Sequence, residues 1–491
     1  MTTTSISLLI ICVFAFVPLL IGELSRNESA ETTDDFILNN RKLGTFPMYM
    51  TVFATWMSIF AFMGGVAYFY EKGPIYMTTI GWDILFAVLF IVIGRRIWHY
   101  GKQYGYVTPT DFFDDIYGSK MLNVLVIGII IICNAIYLQV QITGGLLIIQ
   151  IASNGTIEWY IAGIVFFAIL VIYMWAGGLR AVARIDIFYG ILLIAAILSA
   201  GFYLINVAGG YREVFVQIIE EDPANVSMAG SDGNHMVMLW ISLFVIVPVG
   251  VFMGPHIWIR NYAAESEKNF NALPLLLSLS SIICIGTLFV GSAALVLVDS
   301  IDNPDSILIS LMKEYAGPYF FIFLIIGMYA AIFSSANSQV HALAVVYTMD
   351  IHKRYINDKT PDKKLLFITR IAILIVAGIS YVVLLAVHNN IFDMGVTAMG
   401  GLAQLIVPVL GGFFWKKSKP RGAIAGLLAG EIVFLICLLQ GAGLEDSSIY
   451  ALAGLIVNAC FFIMISLIDK PRIKVEEKIE MYRREYRSKD Y

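Results

Sequence analysis

Charged side chains are scarce in this sequence, and their scarcity limits what the protein can be. Of its 491 residues only 14% are charged, whereas 59% are hydrophobic, and the mean hydropathy is +0.80. A soluble chain of this length needs more polar surface, because a globule cannot hide so large an apolar fraction. The basic residues form no stripe that could follow a nucleic acid. The composition excludes an ordinary soluble protein, and we expect no nucleic-acid partner.

Motifs for metal binding, nucleotide hydrolysis and nucleophilic catalysis are also missing. The five cysteines stand singly within apolar runs, so neither a zinc site nor a disulfide framework is expected. The six histidines form no HExxH motif, and no Walker A sequence provides for ATP. The sequence therefore predicts that the protein is not an enzyme.

What the chain has instead is a series of long apolar runs separated by short charged loops. About 20 apolar residues form a helix that crosses a hydrocarbon core of about 30 Å, and in lipid a helix satisfies its own backbone amides. The sequence predicts an all-α polytopic membrane protein with about thirteen transmembrane helices. The predicted spans are 6–23, 45–70, 76–97, 121–152, 157–176, 186–208, 237–259, 273–298, 318–346, 367–387, 394–414, 422–440 and 448–468.

The distribution of Lys and Arg orients these spans. If the N-terminus is outside, only Lys72, Arg212 and Lys313 of the 32 basic residues face outward. Cytoplasmic loops of membrane proteins carry an excess of Lys and Arg. We therefore expect a multi-pass plasma-membrane protein with its N-terminus outside and its C-terminus inside. This orientation puts Arg260 in a cytoplasmic loop and leaves no basic side chain at mid-depth.

Two spans contain helix-breaking residues at mid-depth. The second carries Gly64-Gly65, and the seventh carries Pro248, Gly250, Gly254 and Pro255. An inverted-repeat transporter places two broken helices, five spans apart, around a midplane site, where freed carbonyl oxygens hold a hard cation such as Na⁺. The alternative is that Gly and Pro merely allow close helix packing, as they commonly do in membranes.

The ninth span is unusually rich in hydroxyl and amide groups. Ser334, Ser335, Asn337 and Ser338 lie within five positions of an otherwise apolar helix. Residues 334 and 338 are one turn apart and share a face, and side-chain oxygens on one face suit Na⁺. Alternatively, the hydroxyls bond to carbonyls of their own helix.

Two further spans, the sixth and the fourth, contain polar residues that are candidates for a functional site. Asp186 lies just inside the sixth span, where a carboxylate costs several kcal/mol unless a cation or donor accompanies it. Its alternative role is an interfacial pair with Arg180 or Arg184. In the fourth span, Tyr137 and Gln141 share a face; they could contact a solute or bond to neighbouring helices.

Several short motifs, taken in their order and spacing, resemble those of the sodium/solute symporter family over residues 41–469. That family has the LeuT-like fold of two inverted five-helix repeats. Each motif is weak alone, but the series is specific. The motifs are Val52-Phe53-Ala54-Thr55, Thr108-Pro109 with Asp111-Phe112, Gly177-Gly178-Leu179 with Asp186, Gly254-Pro255-His256 with Arg260, and Ala331-Ile332-Phe333-Ser334-Ser335.

The resemblance implies a division of the chain into five segments. These are an extra N-terminal transmembrane helix with a cytoplasmic loop (1–44), the first five-helix repeat (45–208), the second, inverted repeat (237–414), two further transmembrane helices (415–469) and a basic cytoplasmic tail (470–491).

The resemblance also implies cation ligands. In the family, one sodium ion is held by carbonyl oxygens of the first repeat helix and by oxygens of the eighth core helix. The matching residues here are Ala54, Met57, Ala331, Ser334 and Ser335. Some members hold a second sodium ion with an aspartate and serines. The matching residues are Asp186, Ser334, Asn337 and Ser338, with Asn337 where a serine is usual.

For the solute, the motifs most resemble those of the monocarboxylate and amino-acid branch. Trp56 stands where proline carriers have an aspartate, which argues against proline. The residues predicted to contact the solute are Trp56, Ser58, Phe62, Trp82, Tyr137, Gln141, Trp240 and Gln404.

Together these expectations describe a sodium-coupled symporter. It would import a small organic solute by alternating access, with Na⁺ as the coupling ion, and would function as a monomer in the lipid bilayer. Two alternatives remain: a membrane sensor that has kept the carrier fold, and a proton-coupled carrier of the same fold.

Overall fold

The computed structural model describes residues 32–73, 77–227, 233–384, 390–440, 446–469, 477 and 479–481. These ranges contain helices and their connections but no strand, only an isolated bridge between Leu43 and Ala264. The predicted all-helical architecture is confirmed for this part of the chain. The first predicted span (6–23) and nearly all of the basic tail (470–491) lie outside the described residues.

Twenty α-helices make up the described part. They are α1 (Thr33–Leu38), α2 (Thr45–Trp56), α3 (Gly65–Lys72), α4 (Thr78–Leu89), α5 (Arg95–Tyr104), α6 (Pro109–Tyr117), α7 (Lys120–Ala152), α8 (Trp159–Val207), α9 (Tyr211–Glu221), α10 (Asn234–Met253), α11 (Pro255–Ala263), α12 (Asn269–Leu279), α13 (Ile283–Leu297), α14 (Ile307–Tyr315), α15 (Pro318–Val345), α16 (Asp362–Leu384), α17 (Ile391–Ala403), α18 (Ile406–Phe414), α19 (Pro420–Gln440) and α20 (Ser447–Ile468). A π-helical turn at Phe60–Gly64 leads into α3, another at Phe90–Gly94 joins α4 to α5, and a π-helical segment at Val346–Ile356 extends α15.

Many of these helices are suited to a bilayer. Within the described residues, nine are long and apolar enough to cross a membrane, and the pair Thr45–Trp56 and Phe60–Lys72, bent by 49°, adds a tenth. The protein is therefore a multi-pass membrane protein, as its composition predicts. Apart from residues 76 and 385–387, which lie outside the described residues, the predicted runs from 45–70 onward fall mainly on helix. The count of thirteen spans and the orientation stay predictions.

The predicted spans 157–176 and 186–208 correspond to the two helical parts of α8, which is interrupted by a kink at Gly178. This glycine has φ 55° and ψ −160°, a conformation that residues with a side chain rarely adopt. A Cβ at this position would lie 2.6 Å from the backbone oxygen of Phe36. Glycine therefore allows both the kink in α8 and its contact with α1.

The break predicted in the second span lies at Met57 and Ser58, upstream of the two glycines. Met57 has ψ 71°, outside the helical range. Ser58 Oγ accepts a hydrogen bond from the N–H of Phe60, as a cap does where a helix restarts. Gly64 has a different role, because a Cβ there would lie 3.0 Å from Ile391. It permits close packing against α17.

The seventh span breaks between α10 and α11, at Gly254. Gly254 has extended backbone angles (φ −61°, ψ 138°), and Pro255 takes the first position of α11. Proline suits that position, because the first N–H of a helix has no intrahelical acceptor. Pro248, which the sequence also offers as a breaking residue, lies inside α10 without ending it.

The two broken helices lie within the bundle, surrounded by other helices. The first half-helix, α2, packs against α8, α12 and α15, and α10 packs against α4, α17 and α20. Every residue of α15 from Gly327 to Val345 is buried. The polar stretch of α15 therefore faces protein on all sides.

A buried carboxylate ties the connection between α13 and α15 to α17. Asp305, which is 4% exposed, lies in the turn before α14. Its Oδ2 accepts a hydrogen bond of 2.9 Å from the N–H of Ile391, the first residue of α17. Burial raises the pKa of Asp305 from its usual 3.8 to about 6, although the hydrogen bond from Ile391 opposes part of this rise.

We expect Asp305 to make the protein less stable as the pH rises. Because its pKa is raised in the folded state, its contribution is fully present below about pH 4 and is lost as the pH rises through about 6. Asp305→Asn should therefore flatten the fall in melting temperature of the purified protein between about pH 4 and about pH 7. The exposed control Asp302→Asn should keep the wild-type slope. An unchanged slope in Asp305→Asn would contradict this assignment.

Candidate cation and solute site

The break in α2 deprives a backbone oxygen of its helical donor. In a continuous helix the N–H of Ser58 would donate to the oxygen of Ala54. Here it donates to the oxygen of Trp56 at 3.0 Å. Ala54 is fully buried, so its oxygen requires another partner.

Two serines of α15 supply that partner. Ser334 Oγ donates to the oxygen of Ala54 at 2.8 Å and lies 3.0 Å from that of Ala331, its alternative acceptor. Ser335 Oγ donates to the oxygen of Thr55 at 3.0 Å and lies 3.4 Å from that of Ala54. All five residues are fully buried. The structure thus brings four of the five predicted sodium ligands into one hydrogen-bonded cluster.

This cluster of Ala54, Thr55, Ala331, Ser334 and Ser335, called the serine cluster below, presents only hydroxyl and carbonyl oxygens. These are the ligands that hard cations prefer. A serine hydroxyl rotates about its C–O bond and carries two lone pairs. The hydroxyls that donate to carbonyls here can therefore turn their lone pairs toward a cation. Met57, the remaining predicted ligand, ends α2, and its ψ of 71° turns its carbonyl away from the helical direction. The donor set fits Na⁺.

A fully buried ion pair adjoins the cluster. Arg260 Nη2 lies 3.6 Å from Asp186 Oδ2. Thr51 bridges the two, because its hydroxyl accepts from Arg260 Nε at 3.0 Å and donates to Asp186 at 2.5 Å. Arg260 Nη2 also donates to Ser338 Oγ at 2.5 Å, and that hydroxyl donates to the oxygen of Ser334 at 2.8 Å. A continuous hydrogen-bond network therefore joins the ion pair to the serine cluster.

The prediction that Arg260 lies in a loop is wrong, because it belongs to α11. Its side chain is 1% exposed and lies inside the bundle, because α11 continues to Ala263. Asp186 therefore has Arg260 as its cationic partner. Arg180, one of the partners considered from sequence, forms an ion pair of 2.5 Å with Asp35.

The second predicted sodium set is only partly assembled. Asp186, Ser334 and Ser338 belong to the network around Arg260, which already carries a positive charge. Asn337 is fully buried, and neither polar atom of its side chain has a hydrogen-bond partner among the described residues. Asn337 is therefore not part of that network.

Two predicted solute contacts, Trp56 and Trp82, line a narrow cleft between α2, α4, α13 and α17. Trp56 stacks on Phe86, with ring centroids 4.4 Å apart and planes inclined by 11°. Its Nε1 donates to Asp83 Oδ1 at 2.5 Å. Met57, at the break in α2, also lines the cleft. The cleft and the serine cluster therefore both adjoin the break in α2 at Met57.

Three other predicted contacts, Ser58, Tyr137 and Gln141, are buried, and Tyr137 lies near the break between α10 and α11. The Tyr137 ring lies 6.5 Å from that of His256, and the Tyr137 hydroxyl points toward Ser58. Both polar atoms of the Gln141 side chain and both ring nitrogens of His256 lack hydrogen-bond partners within the described ranges. Buried polar groups usually have partners. The Gln141 amide and the His256 ring are therefore buried polar groups that a ligand or water would satisfy.

The remaining three predicted contacts are placed elsewhere. Gln404 Nε2 donates to a backbone carbonyl of α20 at 3.0 Å, and Asn458 donates to the oxygen of Gln404 at 2.9 Å. Trp240 stacks on Phe244 with centroids 5.8 Å apart. Phe62 is fully buried in the hydrophobic core. The structure places none of the three on the cleft.

Sequence reasoning missed Asp83, a residue with the same character as Asp186. Both are carboxylates within apolar runs, and such residues are functional candidates by default. Asp83 is 2% exposed and lines the cleft. The rule that selected Asp186 could therefore have selected Asp83 as well.

Comparison with known proteins identifies the family. A model of the Sodium:solute symporter family matches residues 36–430, most of the chain. The protein therefore belongs to the Sodium:solute symporter family, and its coupling ion is sodium. This confirms the family resemblance found in the sequence.

Individual relatives are similar over nearly the whole length. The osmoregulated proline transporter OpuE of Bacillus subtilis is 24% identical over 461 residues, covering 91% of this chain and 92% of that protein. The sodium/proline symporter of Haemophilus influenzae is 25% identical and covers 95% of each chain. A solved structure of a Na⁺-coupled sialic acid symporter, substrate-bound and outward-open, has a TM-score of 0.79 at 18% identity and covers 95% of this chain and 98% of that one. The last comparison establishes the shared fold.

We expect Asp186 and Arg260 to be energetically coupled. Removing one partner of a buried pair leaves an unpaired charge, at a cost of about 3–5 kcal/mol, whereas removing both costs less. Asp186→Asn and Arg260→Met should each lower the melting temperature of the purified protein, and the double variant should recover part of the loss. The matched pair Asp35→Asn and Arg180→Met, which is partly exposed, should give smaller and nearly additive losses. Additive losses at Asp186 and Arg260 would rule out the coupling.

Proposed function

We propose that the protein imports a small organic solute, an amino acid or a monocarboxylate, together with sodium by alternating access. The proposal includes thirteen transmembrane helices, two inverted repeats of five helices, an outer N-terminus and an inner C-terminus. The main support for sodium-coupled import is the contact between the serine hydroxyls of α15 and the Ala54 carbonyl that the break in α2 leaves without a helical donor. The proposed sodium ligands are Ala54, Met57, Ala331, Ser334 and Ser335.

The geometry explains how sodium would favour one conformation. Ala54 belongs to α2, whereas Ser334 and Ser335 belong to α15. An ion held by both helices binds only when they are close together, so its binding shifts the population toward that arrangement. Each charge that moves inward gains about 2.3 kcal/mol per 100 mV of membrane potential. Solute and ion also share the break at Met57, which lines the cleft.

We propose one sodium ion per cycle. The Arg260 guanidinium already places a positive charge 3.6 Å from Asp186. A sodium ion at that carboxylate would stand beside the guanidinium and be repelled by it. The alternative is a second ion at the remaining predicted set. That set is Asp186, Ser334, Asn337 and Ser338.

An amino acid is the better supported solute class. The two relatives described above are named as proline carriers. The cleft supplies aromatic faces for the solute's carbon atoms. The Gln141 amide and the His256 ring carry polar atoms without partners in the described part of the chain. Trp56 argues against proline itself as the solute.

Sodium is preferred to a proton as the coupling ion at the serine cluster. None of the five proposed ligands has a titratable side chain, so the cluster can bind a metal ion but has no group to carry a proton. A sensor of the same fold would bind its ligand without moving it. Uptake into vesicles with a sodium gradient and no pH gradient distinguishes the symporter from both alternatives.

We expect Ser334→Ala combined with Ser335→Ala to abolish the response to sodium, because both hydroxyl ligands are removed. Sodium at about 100 times its dissociation constant should stabilise the wild-type protein by about 2.7 kcal/mol, and this rise in melting temperature should disappear in the variant. Sodium-dependent uptake of labelled amino acids into vesicles should disappear with it.

The matched control for this experiment removes another buried serine pair. Ser242 and Ser448 are fully buried, and their hydroxyls lie 2.8 Å apart between α10 and α20. Ser242→Ala with Ser448→Ala should keep both sodium responses. Undiminished stabilisation and uptake in the Ser334 and Ser335 variant would refute the proposed sodium site.

A further inference from the structure

Asp83 is a buried carboxylate that is not part of the serine cluster. It lies in α4, and its Oδ1 accepts a hydrogen bond of 2.5 Å from Trp56 Nε1. Its Oδ2 has no hydrogen-bond partner in the part of the chain that the structure describes. The neighbouring Ser281 hydroxyl donates to the oxygen of Ser278 at 2.9 Å instead. One carboxylate oxygen is therefore available to a ligand.

An ionised carboxylate in this position needs a positive partner. Charges buried away from water are strongly penalised unless they are paired and hydrogen-bonded. Asp186 meets this requirement through Arg260. For Asp83, no ion pair with another described residue is present. A cation that enters the cleft would supply this partner to the ionised carboxylate.

The walls of the cleft suit an organic cation. Trp56, Phe60 and Trp82 present aromatic rings, and the rings of Phe60 and Trp82 lie 6.3 Å apart. Trp56 is fixed between its stack on Phe86 and its hydrogen bond to Asp83. Aromatic faces attract ammonium groups, most strongly where water is excluded. The cleft therefore combines a carboxylate with aromatic surfaces, which is a favourable environment for an amine.

A metal ion is less well served at this position. Calcium and magnesium ions take about six or more oxygen ligands, and the proposed sodium site has five. Of the side chains that line the cleft, only Asp83, Thr79 and Thr287 carry oxygen, and the Thr79 hydroxyl donates to Cys284 Sγ at 3.0 Å. The rest of the lining is aromatic, aliphatic or sulfur-containing. An ammonium group needs fewer oxygen contacts, because its carbon substituents pack on the aromatic rings.

We propose that Asp83 binds the protonated amine of the transported solute, so that the cleft selects amine-bearing solutes over carboxylates that lack an amine. This inference rests on the proposed function, because it names the solute class of the same site. Met57 lines the cleft and ends α2 one turn from Ala54. A bound amine therefore contacts the break whose carbonyl holds sodium, which links the two binding events.

Pairs of probes that differ only in the amine test this proposal. The melting temperature of the full-length purified protein is measured in sodium buffer with alanine and propionate, with proline and cyclopentanecarboxylate, and with choline. We expect at least one amine-bearing probe to stabilise the protein and its amine-free partner to have no effect. Asp83→Asn should weaken binding of that probe about tenfold or more, since a charge-assisted contact is lost. Asp83→Glu should restore part of the affinity.

Glu431→Gln is the matched control. Glu431 is another carboxylate within a helix that could cross the membrane, and it does not line the cleft. Its substitution should leave the affinity for the amine probe unchanged. Stabilisation by sodium alone should persist in Asp83→Asn, because the serine cluster is intact. If sodium did not stabilise even the wild-type protein, that result would count against the proposed symport rather than against the role of Asp83.

Three outcomes would overturn the inference. They are equal stabilisation by an amine-bearing probe and its amine-free partner, unchanged affinity in Asp83→Asn, and no stabilisation of the wild-type protein by any amine-bearing probe.

Discussion

The structure depends on one interruption of a helical hydrogen-bond ladder. Where α2 breaks at Met57, the N–H of Ser58 turns to Trp56 and the oxygen of Ala54 is left to the serines of α15. An unpaired buried carbonyl is costly, so the break persists only because the packed α15 supplies donors. The same oxygen becomes a ligand when a cation supplies the positive charge. A constraint on folding and the proposed sodium site thus coincide in one feature.

Two buried carboxylates, Asp186 and Asp83, likewise require partners. Asp186 is neutralised inside the protein by Arg260, with Thr51 between them. Asp83, by contrast, has the Trp56 indole as its donor and no cationic partner among the described residues. In a low-dielectric interior, a charge with its own counter-charge is a fixed structural element. A charge without one is a place for a ligand. This difference separates a built-in cation from a binding site in the same bundle.

Parts of the site could be predicted from the sequence, and other parts could not. The density of hydroxyls around Ser334 in an apolar helix indicated a cation cluster, because polar groups at that depth are otherwise penalised. Gln404 and Trp240 were polar or aromatic residues in the expected spans, but the structure places them against α20 and against Phe244. Their residue type was informative, whereas the direction of their side chains was not available from the sequence.

The sequence by itself determined that the chain lies in a membrane, that it is helical, and which helices carry breaks and polar groups. These properties are local, since they follow from the length of apolar runs and from the residues within one turn. Only the tertiary structure decided that Arg260 turns inward to Asp186 and that Trp56 reaches Asp83. Those contacts join different helices, and the rotation of one helix against another is set by the packing of the whole bundle.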